Sequence, residues 1–318
     1  MNSSEKIFQL RQKIKQLLCK LIGSKCILLD APYYHNIGDV LIWKGEMSFL
    51  SEHHVQCLYN ASYETCSFPE IAKDVTVLFN GGGNLGDIYP EHMDFLQKVV
   101  LRYPNNRIVI CPQTVYYTNK SRMENDFALL LRHKDLYFCA RDKVTFNILT
   151  EYFGDRTLLL PDMAFYIPEA DLQRYALKET KVKLTIERKD CESQAGRILF
   201  NADGDVSDWP TFEHSFHRTT FLNKVLKRIS DAHIPYVSEC SNRFWDYYFI
   251  HCFSEMMFKE GVRFISPYRL IEATRLHGCI LSILLDKEIV LIDNSYGKNS
   301  HFYDTWLYDL DNVTLKLG

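Results

Sequence analysis

The chain has 318 residues, 47% of them hydrophobic and 24% charged, enough for two domains with full cores rather than one. A net charge of −3 excludes the global basic field that holds nucleic acid, so any anion site must be local. No secretory leader opens the chain, no apolar run approaches the ~18 residues that span a bilayer, and the 10 cysteines show neither a C-x-x-C pair nor zinc spacing, which together describe a cytoplasmic protein.

Cys26, Cys111, Cys139 and Cys279 sit inside apolar runs and read as small core residues of a reducing compartment. Aromatic residues make up 14%, with 19 Tyr and 20 Phe, a content that suits both large cores and carbohydrate stacking.

A basic amphipathic helix is expected over residues 5–22. Ile7, Leu10, Ile14, Leu17, Leu18 and Leu21 recur at helical spacing among Lys6, Arg11, Lys13, Lys15 and Lys20. Such a helix packs on its own domain or rests peripherally on the inner face of a membrane. Beyond it, short apolar strands are expected at Lys25–Leu29, Val55–Tyr59, Val75–Phe79, Arg107–Cys111, Leu136–Ala140 and Thr157–Leu160. Helices are expected between them at Asp39–Glu52, Glu91–Arg102, Arg122–His133 and Lys143–Tyr152. Continuous apolar strands alternating with amphipathic helices predict a parallel sheet covered on both faces, a Rossmann-like domain over residues 1–166.

The pattern dissolves in the charge-rich stretch 167–195, read as a connecting segment with one helical turn or a short hairpin. A second α/β domain is expected over 196–318. Its strands are predicted at Arg197–Phe200, Pro235–Ser238, Val262–Ile265 and Glu288–Leu291, and its helices at Phe216–Asp231, Arg243–Phe258, Tyr268–Thr274 and Cys279–Leu285. The fold class is therefore α/β, two Rossmann-like domains with parallel sheets and a cleft where their strand ends face each other.

Loops that follow strands and open helices are natural anion sites, because unpaired N–H groups and the helix dipole point outward there. The first is Tyr34-His35-Asn36-Ile37-Gly38-Asp39. Gly38 permits a tight turn, Asn36 or Asp39 fits a helix cap, and Asp39 fits a sugar hydroxyl equally well. The second is Asn80-Gly81-Gly82-Gly83-Asn84-Leu85-Gly86-Asp87. Gly81, Gly83 and Gly86 match G-x-G-x-x-G, but the acidic residue of a dinucleotide site is missing where Ile110-Cys111-Pro112-Gln113 stands, so a close approach of backbone to ligand is the better reading. The third is Thr274-Arg275-Leu276-His277-Gly278. It combines a planar guanidinium fork with an imidazole that titrates near neutrality. A second fork, Arg141, stands at the carboxyl end of the strand ending in Ala140, where ligands bind in open α/β sheets.

Asn36-Ile37-Gly38-Asp39, Asn80-Gly81-Gly82-Gly83-Asn84, Pro112-Gln113, Ala140-Arg141-Asp142, Pro161-Asp162 and Arg275-Leu276-His277-Gly278 occur in an order and spacing that resembles the polysaccharide pyruvyl transferases, from about Leu29 to Trp306. The resemblance implies a fold like the B-type glycosyltransferases. It also implies phosphoenolpyruvate as donor co-substrate and a pair of glycan hydroxyls, on an acceptor that is free or lipid-linked, as the other partner. No further cofactor and no metal are implied, and the sequence shows no metal-ligand cluster. By position, Arg141 and Arg275 look like donor-binding arginines, Leu276 like a backbone contact to the donor, and His277 like the catalytic acid. Asn36, Gly38, Gly82, Gly83, Asn84 and Asp87 become loop or acceptor candidates. The general base is open among Asp39, Asp87 and His277. One departure stands out: Thr274 replaces the Asp that many relatives carry, so a carboxylate orienting Arg275 is missing or comes from Glu272. Two rival functions share these features, a nucleotide-sugar glycosyltransferase of the same architecture and a non-catalytic glycan-binding subunit.

Overall fold

The computed structural model describes residues 1–188, 204–210, 218–232, 234, 236–293 and 297–316. Helix α1 (Ser3–Leu18) begins at Asn2, whose side chain accepts from the Glu5 N–H. Its stripe of Leu10, Ile14 and Leu18 is buried. Arg11 donates to the carbonyls of Phe165 and Ile167, and Lys6 pairs with Asp309. The apolar face of this helix is thus turned into the fold, leaving Phe8 as its exposed large hydrophobic residue. Among the described residues no helix is long and apolar enough to cross a membrane.

The first sheet grows from β1 (Lys25–Leu29), helix α2 (Ile37–Glu52), β2 (Gln56–Ala61), β3 (Thr76–Phe79), β4 (Gly82–Gly86), α3 (Pro90–Arg102), β5 (Ile108–Tyr116), α4 (Lys120–Leu130), β6 (Leu136–Ala140), α5 (Lys143–Phe153) and β7 (Thr157–Leu159). The order is β2-β1-β3-β5-β6-β7, every pairing parallel, with β4 beside the far end of β5. The near-continuous burial of β1, β3, β5 and β6 is what a sheet covered on both faces requires. Strand β4 departs from expectation: the glycine turn was read as a loop, yet Gly82–Gly86 is extended and pairs with Gln113–Tyr116. Gly86, at φ +148°, lies so close that a Cβ would come within 1.8 Å of the Tyr116 carbonyl oxygen. Glycine content here serves backbone contact rather than a turn.

The second sheet corrects more of the expectations. The segment read as a connection carries helix α6 (Glu169–Gln173) and β8 (Lys181–Ile186), an inner strand of that sheet. It is followed by β9 (Asp205–Ser207), α7 (Arg218–Asp231), α8 (Val237–Tyr248), α9 (Ser254–Ile265), β10 (Tyr268–Ala273), α10 (Leu276–Leu284), β11 (Glu288–Ile292), α11 (Lys298–Phe302) and β12 (Val313–Lys316). The order is β12-β11-β10-β8-β9, again all parallel.

Of the strand expected at Pro235–Ser238, the described part is not extended: Tyr236 takes φ +68° and α8 starts at Val237, while Pro235 lies outside the described residues. Val262–Ile265 is the last turn of α9: Met257, Phe258, Gly261, Val262 and Ile265 are buried at helical spacing. Tyr268–Thr274 is not a helix but β10, the centre of the sheet. A short apolar run does not reveal its own period, and Ser266-Pro267 alone separates helix from strand. The strand expected at Arg197–Phe200 lies outside the described residues.

The halves pack directly on each other. Helix α2 lies against α9 and α10, and Gly261 sits where a Cβ would fall 2.6 Å from Ile37 Cγ2. Asp246 of α8 accepts from Tyr33 and Thr65 across the same boundary at 2.7 and 2.6 Å. Each sheet also reverses its strand order once, between β1 and β3 and between β8 and β10. Ligands of open α/β sheets bind outside the strand ends at such reversals. The loops after β1, β8 and β10 and the start of β4 all reach a single cleft, through Tyr34, Arg188, Arg275 and Gly83.

Candidate active site

The cleft encloses about 780 Å³. Its floor is built on Arg141, wholly buried just past β6. Nε of Arg141 donates to Thr114 Oγ1 at 2.9 Å and Nη1 to Asp162 Oδ2 at 2.8 Å. Nη2 is buried with no hydrogen-bond partner among the described residues and lies 2.8 Å from where a Cβ on Gly83 would be. Gly83 therefore leaves room for the guanidinium edge at the cleft wall. Lys298, the first residue of α11, reaches the same place, its Nζ 2.4 Å from that Cβ position.

From the other half, α10 points its N-terminus at the cleft. Leu276 is its first residue, and the N–H groups of a first helical turn have no intrahelical acceptor. His277 follows and sets Nε2 at 3.2 Å from Asp162 Oδ2, the oxygen that already accepts from Arg141. Asp162 is fully buried. Burial by itself would raise its carboxyl, but His277, Arg141 and the Ala164 N–H outweigh that and hold it well below the usual carboxylate range. Gly38 makes the imidazole's position possible, since a Cβ there would lie 2.6 Å from His277 Nδ1.

Arg275 forms a bidentate pair with Asp208, Nε to Oδ1 at 2.5 Å and Nη2 to Oδ2 at 2.7 Å. The carboxylate that orients this arginine thus comes from the loop after β9. Glu272, one of the two alternatives for that role, pairs instead with Lys183 and accepts from Thr185. Thr274 Oγ1 is committed to backbone: it donates to the Ile186 carbonyl and accepts from the Arg188 N–H.

Asn36 caps α2 through the Gly38 N–H and donates to Asp39 Oδ2 at 2.8 Å. Tyr34 Oη donates to the same oxygen at 2.9 Å and accepts from Asn84 Nδ2 at 2.8 Å. Gly82, at φ +141°, stands where a Cβ would be 3.7 Å from Asp39 Oδ1. Glu46, accepting from the Gly81 N–H, and Gln113, donating to the Asn80 carbonyl, pin the glycine stretch from below.

Asn36, Asp39, Gly83, Asn84, Arg141, Arg275, Leu276 and His277 thus line one cleft. Asp87 is not among its lining residues; its carboxylate accepts from the Thr118 and Asn119 N–H groups and from Thr118 Oγ1 at the start of α4. Asp162, Asp208, Lys298 and His92 were not singled out as site residues from the sequence. Asp162 had a signal, the Pro161-Asp162 pair just past a strand end. Asp208 and Lys298 had none, being single charges in irregular segments.

The profile of the family "Polysaccharide pyruvyl transferase" matches residues 36–296. The Bacillus subtilis protein named "Putative pyruvyl transferase EpsO" is 32% identical, over 99% of this chain and 96% of its own length. Pyruvyl transferase 1 of Schizosaccharomyces pombe is 25% identical, over 92% of this chain and 72% of its own. A crystal structure of an uncharacterised Klebsiella pneumoniae protein superposes with a TM-score of 0.66 at 21% identity, covering 97% of this chain and 99% of that one, which shows the shared two-sheet fold. With its cleft at the meeting of two parallel sheets, and with a profile match over most of its length, the chain belongs to the polysaccharide pyruvyl transferase family.

Proposed function

We propose that this protein transfers pyruvate from phosphoenolpyruvate to two hydroxyls of a sugar in a polysaccharide precursor, forming a cyclic ketal and releasing phosphate. The observation that carries this reading is Arg141: a guanidinium with 0% exposure and one nitrogen without a hydrogen-bond partner among the described residues, at the wall of the cleft. A buried unpaired donor costs about 1–3 kcal/mol, a cost offset when an anion accepts from it. Arg275, Lys298 and the first turn of α10 line the same cleft, so a small, highly charged anion finds donors on several sides.

In this reading Arg141 and Arg275 hold the carboxylate and phosphate, and the Leu276 N–H adds a backbone donor. His277 gives a proton to the methylene carbon, leaving C2 electrophilic. One sugar hydroxyl bonds to C2, phosphate leaves with the electrons of its C–O bond, and the second hydroxyl closes the ring. Two O–H protons are lost: one restores His277 and one leaves on phosphate. Asp39 is the carboxylate that orients a hydroxyl and takes its proton, while Asp162 fixes Arg141 and His277 relative to each other. Tyr34, Tyr63 and Tyr89 offer the ring faces against which a sugar packs.

Incubating the protein with phosphoenolpyruvate and a panel of galactose-, mannose- and glucose-containing acceptors tests this. The expected result is phosphate release together with the mass increment of a pyruvate ketal on one acceptor. Transfer from a nucleotide sugar, with none from phosphoenolpyruvate, would overturn it.

A further inference from the structure

Away from the arginines, the cleft wall contains a second histidine–carboxylate pair. His92, the third residue of α3, is 5% exposed and lines the cleft. Its Nδ1 lies 2.8 Å from Oδ2 of Asp30, the residue that ends β1 and is 4% exposed. Asp30 holds φ +69°, a left-handed conformation that costs a non-glycine residue free energy, and its Oδ1 is buried without a hydrogen-bond partner among the described residues. A strained, incompletely paired acid is not what core packing selects. It sits at the reversal between β1 and β3, where the fold places ligands.

The pair has the geometry of a poised base. With Nδ1–H donated to Asp30, the lone pair of the neutral ring lies on Nε2, which has no hydrogen-bond partner among the described residues. Tyr34 and Tyr63 stand edge-on to the ring, at centroid distances of 6.1 and 5.3 Å. They make a small aromatic enclosure that suits a sugar ring better than a trianion. Tyr34 also bonds Asp39, whose preceding residue Gly38 lies against His277. His92 thus lines the same cleft as Asp39, Arg141, Arg275 and His277, on the wall formed with Tyr34 and Tyr63. Burial would lower the imidazole, but Asp30 outweighs it and raises the ring above its ordinary value. The other titratable groups around it are Glu91, Asp39, Tyr34 and Tyr63.

We infer that His92, positioned by Asp30, is the base that removes the proton from the acceptor hydroxyl attacking C2. This rests on the pyruvyl-transfer reading and completes its proton balance. The hydroxyl O–H bond breaks toward Nε2 as its oxygen bonds to C2, the former C2–C3 π pair having taken the proton of His277. When the second hydroxyl closes the ketal, its proton passes to Asp39 and the C2–O–phosphate bond breaks with its electron pair on phosphate. Of the two protons collected, one returns to His277 and the other departs on phosphate. Two differently placed hydroxyls are thereby served by two differently placed bases.

The test compares steady-state kinetics of the full chain with His92→Ala, His92→Gln and Asp30→Asn, with thermal melting as the check on folding. His92→Gln keeps a donor toward Asp30 and covers the case in which the alanine variant unfolds. The expected result is a loss of kcat of about 10²-fold or more at His92 with KM for phosphoenolpyruvate unchanged, and partial recovery of His92→Ala by added imidazole. Asp30→Asn is expected to lower kcat about 10-fold and to move the acid limb of the kcat/KM profile to lower pH. A folded His92 variant within a few-fold of wild type overturns the inference. So does one that only raises KM for the acceptor, with the pH profile intact. A wild-type chain that transfers nothing from phosphoenolpyruvate overturns the functional reading itself, a result distinct from an active wild type indifferent to His92.

Discussion

His277 reaches from the start of α10 to Asp162 at the end of the first sheet, Nε2 to Oδ2 at 3.2 Å, and so ties the two halves together at the one oxygen that also receives Arg141. Neither half holds this arrangement by itself. Replacing Asp162 by Asn keeps the shape and removes the charge. Leaving the buried Arg141 without its ion pair is expected to cost about 3–5 kcal/mol of stability and, through loss of register between guanidinium and imidazole, at least about 10²-fold in kcat. Chemical denaturation and steady-state kinetics on the same preparation read both.

His277→Ala is expected to fold, since Asp162 keeps its pairing with Arg141, and to lose pyruvyl transfer by several orders of magnitude. Phosphate release from phosphoenolpyruvate in the presence of acceptor measures it. Near-full activity in a folded variant would remove His277 from the role of acid.

Gly38→Ala separates positioning from stability. The added methyl would come within 2.6 Å of Nδ1, so the imidazole must move, while alanine suits a helix as well as glycine or better. The expected outcome is a melting temperature at or near wild type and a fall in kcat of about 10²-fold from a displacement of about 1 Å.

Asp208→Asn loosens the fork of Arg275 while leaving the guanidinium itself in the cleft. KM for phosphoenolpyruvate is expected to rise about 10-fold, the effect of weakening one oriented arginine. Glu272→Gln, which disturbs Lys183 and Thr185 instead, is expected to leave that KM unaltered. Equal effects from both would contradict the assignment of Asp208.

Glu46 makes a prediction about pH. Its carboxyl, buried beneath the glycine stretch, is pushed up to about 8 by desolvation, against 4.5 for the unperturbed group. Between those values the native chain holds a proton that the unfolded chain has released. Stability therefore falls as pH rises through that window, by up to ~1.4 kcal/mol per pH unit from this group. Glu46→Gln removes the dependence. The variant and wild type are expected to have similar stability near pH 5, with the variant more stable at pH 8.5, as urea midpoints at the two pH values would show.

Much of the first half was legible because its central strands β1, β3, β5 and β6 are short continuous apolar runs while the helices between them are longer, so length and period separate them: α2, α3, α4 and α5 and the strands between them fall close to where apolar spacing put them, and the glycine-rich β4 is the exception. The second half misled where apolar runs were short and adjoining. Val262–Ile265 and Tyr268–Thr274 exchanged identities because composition over five or six residues is shared by a helix end and a central strand. Among the site residues, Arg141, Arg275 and His277 announced themselves by standing at strand and helix ends. Asp162 was visible only as a member of a motif, and Asp208 and Lys298 as nothing more than charges.

What the amino-acid order determined here is local: periodicity, caps, the glycines that let backbone lie on backbone, and the placement of guanidinium and imidazole groups just past regular elements, since each depends on neighbours a few residues away. Tertiary structure alone decided which carboxylate serves which base or arginine, Asp162 for Arg141 and His277, Asp208 for Arg275, Asp30 for His92. Those partners are separated by 21 to 115 residues of chain, and at such distances pairing is a property of how two sheets and their helices pack, which no local pattern encodes.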